Sequence, residues 1–146
     1  MKTVQVAVAS VLLALCGASW AQLTPVGTWR SVDDKTGEAK SEIQITENAG
    51  VLEGRVTKLL RKDADPNAVC TECPDALKGK PMVGLPIITG AKQDGDKAVW
   101  VGGKILDPES GKSYTLRLTP IDSGKQLEVR GSIGPFGRTQ TWVRVQ

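Results

Sequence analysis

The chain contains no histidine in 146 residues. That absence excludes Ser-His-Asp and Cys-His nucleophilic catalysis, histidine-ligated zinc and an imidazole pH sensor. Aromatic residues are scarce too, at 4% of the chain, with a single tyrosine and a single phenylalanine. A base-stacking platform for nucleic acid needs more. The net formal charge is only +3 and the basic residues form no run, so the electrostatic footprint of a nucleic-acid binder is missing. Nor is there a glycine-rich phosphate loop or a serine elbow. An enzyme therefore has little support, and nothing calls for a cofactor or a metal.

What is present begins with a leader. Lys2 supplies a positive start, Val4 to Leu15 an apolar stretch, and Ser19-Trp20-Ala21 a small-x-small cleavage site. The stretch is shorter than the roughly 20 residues of a membrane-spanning helix, so no transmembrane segment is expected. Cys16 follows Leu15 rather than a small residue, which disfavours lipid attachment there. Residues 1–21 thus read as a secretory signal peptide cleaved after Ala21, and the protein as periplasmic or secreted. Residues 22–146 are a single domain's worth of chain.

Within that domain, Val99 to Tyr114 reads as a complete β-hairpin. Its first arm alternates, with Val99, Val101 and Ile105 expected on one face. Asp107-Pro108-Glu109-Ser110-Gly111 is the turn, and Tyr114, Leu116 and Leu118 share one side of the return arm. Gly102-Gly103 predicts a bulge or a close backbone approach. Further strands are expected around residues 26–31, 43–46, 51–60, 82–89, 126–133 and 138–145, most with a period of two. Ile43 and Ile45 alternate with Gln44 and Thr46; Leu52, Val56 and Leu60 share a face, as do Leu127, Val129 and Ile133. Residues 61–81 keep no period and hold charges, three prolines and two cysteines, so they read as a long loop that is functional, tethered or mobile. Eight strand candidates, short turns and no helical period predict an all-β fold, a single small antiparallel up-and-down barrel.

Three stretches then carry a resemblance. They are Trp100-x-Gly102-Gly103-x-Ile105-x-Asp107-Pro108-x-x-Gly111-Lys112-x-Tyr114, Leu127-x-Val129-Arg130-Gly131, and Gly137-Arg138-Thr139-Gln140-x-Trp142-x-Arg144. With Gly27-x-Trp29 and the leader, the chain resembles the small exported bacterial proteins of domain-of-unknown-function family 2147 (DUF2147). The resemblance implies an envelope protein with a calycin-like barrel and brings no catalytic residue with it. A looser similarity is to lipocalin-like barrels, in which Gly-x-Trp on the first strand meets a basic residue on the last. Gly27, Trp29 and Arg144 match those places and would form a structural plug.

The remaining candidate sites each have a plain alternative. Cys70-Thr71-Glu72-Cys73 in an exported chain favours a disulfide, which over so short a loop contributes about 2 kcal/mol. A redox pair would want a cation or a helix N-terminus, whereas Glu72 and Asp75 raise a thiol pKa. Zinc would need two further soft ligands. Asp63, Asp65 and Asn67 have the spacing of a calcium loop without its glycine and distal glutamate. Asp107 reads as a turn carboxylate accepting nearby amides. Arg130, Arg138, Gln140 and Arg144 fall at even positions on the last strands, around Trp142. They form a solvated outer face, a Trp–Arg barrel plug, or an inward cluster for a ligand's anionic or carbonyl end. Trp100 and Tyr114 would line the same cavity, or be plain core. Trp100, Tyr114, Arg138, Gln140 and Trp142 are therefore the candidate ligand residues. Two functions follow: a non-enzymatic binding module for a small apolar or amphiphilic molecule, or a filled barrel that meets another envelope protein through the Cys70–Cys73 loop.

Overall fold

A computed structural model of the chain describes residues 23–145; the leader read from residues 1–21 lies outside the described residues. Eight strands follow one another around a closed antiparallel barrel: β1 (Gly27–Val32), β2 (Ala39–Asn48), β3 (Val51–Leu59), β4 (Pro86–Gln93), β5 (Trp100–Asp107), β6 (Lys112–Ile121), β7 (Gln126–Ile133) and β8 (Phe136–Arg144). The up-and-down order puts the β1–β2, β3–β4, β5–β6 and β7–β8 connections at one end, called the upper end below. The other three connections and the segment preceding β1 lie at the lower end.

Alternation explains most of the wall. Ile43 and Ile45 of β2, Leu52 and Val56 of β3, Leu116 and Leu118 of β6, and Leu127 and Val129 of β7 are buried. Their neighbours Gln44, Glu53, Arg55, Thr115, Arg117 and Arg130 are exposed. A side chain of this size contributes roughly 1.5–3 kcal/mol when fully buried, so the inward rows drive closure. Eight strands enclose a space that side chains can fill. Here Trp29, Trp100 and Trp142 enter it from three different strands, at 0%, 5% and 2% exposure.

The first arm of the central hairpin departs from its expected phase. Trp100 is buried, whereas Val99 and Val101 are only half-buried, and Val101 lies opposite the exposed Lys92. Ile105, by contrast, pairs with the fully buried Ile88. The cause is a bulge: the register with β6 slips between Trp100 and Gly103, and Gly102 adopts a positive φ of 78°. One extra residue reverses the facing of everything before it. Gly103 then comes so close to β4 that a Cβ there would sit 2.6 Å from the Ala91 nitrogen and the Thr89 oxygen.

Two other boundaries move. β4 begins at Pro86 rather than at Met82, and β3 ends at Leu59, leaving Leu60 outside the strand. Ile133 keeps its place in the row of Leu127 and Val129, yet it is 57% exposed because the row runs past the end of the core.

Because backbone atoms, which cannot swing aside, fill the space at Gly103, Gly103→Ala is expected to cost about 3 kcal/mol. A lowered urea midpoint with an unchanged slope is the expected reading.

Candidate functional site

At the lower end the indole of Trp29 is fully buried, and its Nε1 donates to the Pro25 carbonyl at 2.7 Å. The Arg144 guanidinium lies over that ring, 4.1 Å from its centroid. It donates from Nε to Gly124 at 2.6 Å, from Nη1 to Val26 at 2.9 Å and from Nη2 to Thr24 at 2.9 Å, each time to a backbone carbonyl. Burial lowers the arginine's pKa, but a group with so high an ordinary value stays charged. Gly27 opens β1 opposite Ile45, immediately after the segment that Arg144 gathers in. The stacked cation contributes about 0.5–2 kcal/mol beyond the hydrogen bonds.

The upper end is charged. Arg61 Nη2 lies 3.0 Å from Asp33 Oδ2 and 3.2 Å from Glu109 Oε1, and its Nη1 lies 3.6 Å from Glu38. Lys40 joins Glu109 at 3.2 Å, and Arg138 pairs with Asp34 at 2.9 Å. Asp33 also accepts the amides of Lys35 and Thr36 at 2.8 and 3.0 Å. The Arg61 hydrogen bond first, and those amides second, hold its carboxyl far below the usual carboxylate range. Sequence reasoning missed this network. Its members are scattered over three connections and the strands β2 and β8, and have no periodic signature.

Between β3 and β4 the chain is an ordered ribbon. Cys70 donates its amide to Lys80 at 2.8 Å, Gly79 donates to Cys70 at 2.8 Å, and Met82 donates to Ala68 at 2.8 Å. Cys70 and Cys73 are disulfide-bonded with Cα atoms 5.4 Å apart, and both are buried. Cys70 Sγ rests 3.6 Å from the Pro108 carbonyl. The Glu72 carbonyl presses on Gly111, where any side chain would collide with it. The ribbon is thus seated on the β5–β6 turn. That turn is held by Asp107, which accepts the Glu109 amide at 3.0 Å and the Ser110 hydroxyl at 2.7 Å.

The candidate ligand residues separate by burial. Trp100, Leu118, Val129 and Gln140 form one row of register partners across β5 to β8. Gln140 accepts from Trp142 Nε1 at 3.0 Å. Trp100 and Trp142 are packed inside, Gln140 and Tyr114 are half-buried, and Arg138 is exposed. A Cβ on Gly131 would meet Tyr114 at 3.2 Å. Arg130 does not join the cluster: it points outward and donates to Thr139 Oγ1 at 3.4 Å. Its even number placed it with Arg138, but Gly131 is the residue paired with Arg138, so Arg130 takes the opposite face.

Two clefts lie outside the barrel wall. The larger, about 290 Å³, is lined by Arg55, Leu77, Lys80, Pro81, Val83, Gly84, Leu85 and Pro86. The smaller, about 250 Å³, is lined by Glu38, Arg61, Lys62, Asp63 and Ala64. No three side chains of metal-ligating type cluster among the described residues, and Asp65 caps the Asn67 amide at 2.8 Å.

With this geometry in hand, comparison places the chain. A family model described as "uncharacterized protein conserved in bacteria (DUF2147)" matches residues 27–144. The protein belongs to that family. No curated protein matches it. A solved Helicobacter pylori protein described as belonging to the lipocalin family is similar in fold, with a TM-score of 0.71 and 22% identity. The match covers 83% of this chain and 82% of the other. The DUF2147 chain therefore has a lipocalin-like barrel.

Two outcomes test the ends of the barrel. Trp29→Ala is expected to cost about 3–5 kcal/mol in urea titration, because the indole leaves a closed cavity and orphans the Arg144 stack. Asp33 has a depressed folded value, so its contribution is complete above the ordinary carboxylate value of about 4 and fades as pH falls below it. The urea midpoints of wild type and Asp33→Asn are expected to differ most at pH 6 and to draw closer as pH falls below about 4.

Proposed function

We propose that this DUF2147 protein is a non-catalytic binding module for a small apolar or amphiphilic molecule, held in the outer cleft beside the β3–β4 ribbon. One observation carries the reading: three indoles, none more than 5% exposed, project into the barrel, while a cleft of about 290 Å³ lies outside it. A small barrel either packs its interior or keeps it for a ligand, and three indoles take up this one. Leu77, Pro81, Val83, Leu85 and Pro86 give the cleft an apolar lining, and Arg55 and Lys80 bring two cations to it. Arg55 spends one Nη1 donor on the Gly84 carbonyl at 3.1 Å, and neither cation forms an ion pair among the described residues. The site suits a short apolar chain or ring with an anionic end, near the lower limit of usual ligand volumes. The smaller cleft is a poorer candidate, because its arginine is already neutralised by three carboxylates.

The leader at residues 1–21 supports a periplasmic location for this activity. A second reading, contact with another envelope protein through the Cys70–Cys73 loop, is favoured by Val69 and Val83, which are 46% and 41% exposed on that ribbon. Native mass spectrometry of the protein isolated from its host envelope separates the two. A labile added mass of a few hundred daltons supports the first, and a co-isolated chain supports the second. In titration with decanoate, Val83→Asp is expected to weaken binding at least tenfold. Emission from the enclosed Trp29, Trp100 and Trp142 should stay unchanged. A shift in that emission on binding would instead move the ligand into the barrel and overturn the outer site.

A further inference from the structure

The most exposed large hydrophobic side chain described is Phe136, the only phenylalanine in the chain, at 79%. It closes the β7–β8 hairpin opposite its register partner Ile133, which is 57% exposed. Both belong to the inward-facing rows of their strands, but they lie beyond the point where the core can cover them. The tip between them is Gly134-Pro135, and residues 131–137 carry no charge. Arg130 and Arg138 bracket this uncharged run on either side. A single exposed apolar residue is ordinary; an adjacent pair on a protruding tip, framed by arginines, is not.

A second observation comes from the outer face of the same strands. Arg117 and Arg130 are direct cross-strand partners. Like charges directly opposite one another destabilise a sheet. Neither arginine forms an ion pair among the described residues, and neither does Lys104, which donates to Thr115 Oγ1 at 3.2 Å. Three cations outside any ion pair therefore stand on one face within a few residues of the apolar tip, and Glu128, on the same face two residues from Arg130, lies on the side away from that tip. The unrelieved repulsion is explained if an anionic surface neutralises it.

We propose that the β7–β8 tip docks the protein onto an anionic lipid bilayer, with Ile133 and Phe136 entering the acyl boundary while Lys104, Arg117 and Arg130 meet the phosphates. Shape decides between a bilayer and a folded protein. A convex tip with two apolar side chains lacks the roughly 800 Å² per partner of a specific protein interface, whereas a fluid bilayer moulds to it. Neither a small apolar insertion nor a modest basic patch holds a protein at a membrane alone, and the two together do. The inference is independent of the outer cleft on the β3–β4 ribbon.

The test is flotation with vesicles, using the chain from Gln22 onward so that the apolar leader contributes nothing. The closed barrel and every contact of its plug lie within that chain. Vesicles of phosphatidylglycerol and phosphatidylethanolamine are expected to carry the protein, and phosphatidylcholine vesicles to leave it free. The Ile133→Ser/Phe136→Ser pair and the Arg117→Gln/Arg130→Gln pair should each reduce binding at least tenfold, with melting temperatures no lower than that of wild type. Val83→Asp should float like wild type, which keeps lipid capture in the cleft apart from docking by the tip. Equal binding to neutral and anionic vesicles, or full binding by the tip variant, overturns the proposal. So does a tip variant that loses a co-isolated protein while wild type ignores every vesicle.

Discussion

Arg144 lies across the seam where the barrel closes, and the rest of the fold depends on that closure. Every other neighbouring pair of strands shares four or more register partners, but β1 and β8 share only two, Trp29 with Arg144 and Arg30 with Val143. Backbone pairing at the seam is therefore short, and side chains complete it. Arg144 collects carbonyls from Thr24, Val26 and Gly124 while stacking on Trp29, tying the segment before β1 to the β6–β7 connection. Higher on the same seam the Asp34–Arg138 ion pair bridges β8 to the β1–β2 connection. One contact is buried and directional, the other exposed and screened, so the seam is strong below and weaker above.

Closure on three tryptophans has a consequence for function. Three indoles project into this barrel, and under the proposed binding function recognition falls to the outer surface along the long β3–β4 connection. Its disulfide closes too short a loop to matter much for global stability. The value of Cys70–Cys73 is local. It compacts the apex of a ribbon that seats Glu72 on Gly111 and Cys70 on Pro108.

How much was legible in the sequence follows the same physics. β2, β6 and β7 have one wet and one buried face, and their period of two shows it directly. The opening of β5 was read out of phase because the bulge at Gly102 inserts a residue, and a glycine pair announces a bulge without saying which side of it is inverted. Trp29, Gly27 and Arg144 were legible as a pairing only through resemblance, since 114 residues of chain separate the indole from its cation. Arg130 was misplaced because parity within a strand says nothing about register between strands. The Arg61 network and the order of residues 61–81 were invisible, since both rest on contacts between connections rather than on any local pattern.

The two ends of the barrel thus divide its work. Below, carbonyls, indole and guanidinium satisfy one another. Above, Arg61 uses its donors to tie the β1–β2, β3–β4 and β5–β6 connections into one plate. The β7–β8 hairpin is tied to that plate by the Arg138–Asp34 ion pair. Its tip carries Phe136 and Ile133, the two most exposed large hydrophobic side chains among the described residues. A sequence selected for stability alone would place a charge at the solvent-facing positions of Ile133 and Phe136 and an acid opposite Arg117. That it does neither, while spending so many contacts on the seam, is the physical reason to look for a partner at this corner of the molecule.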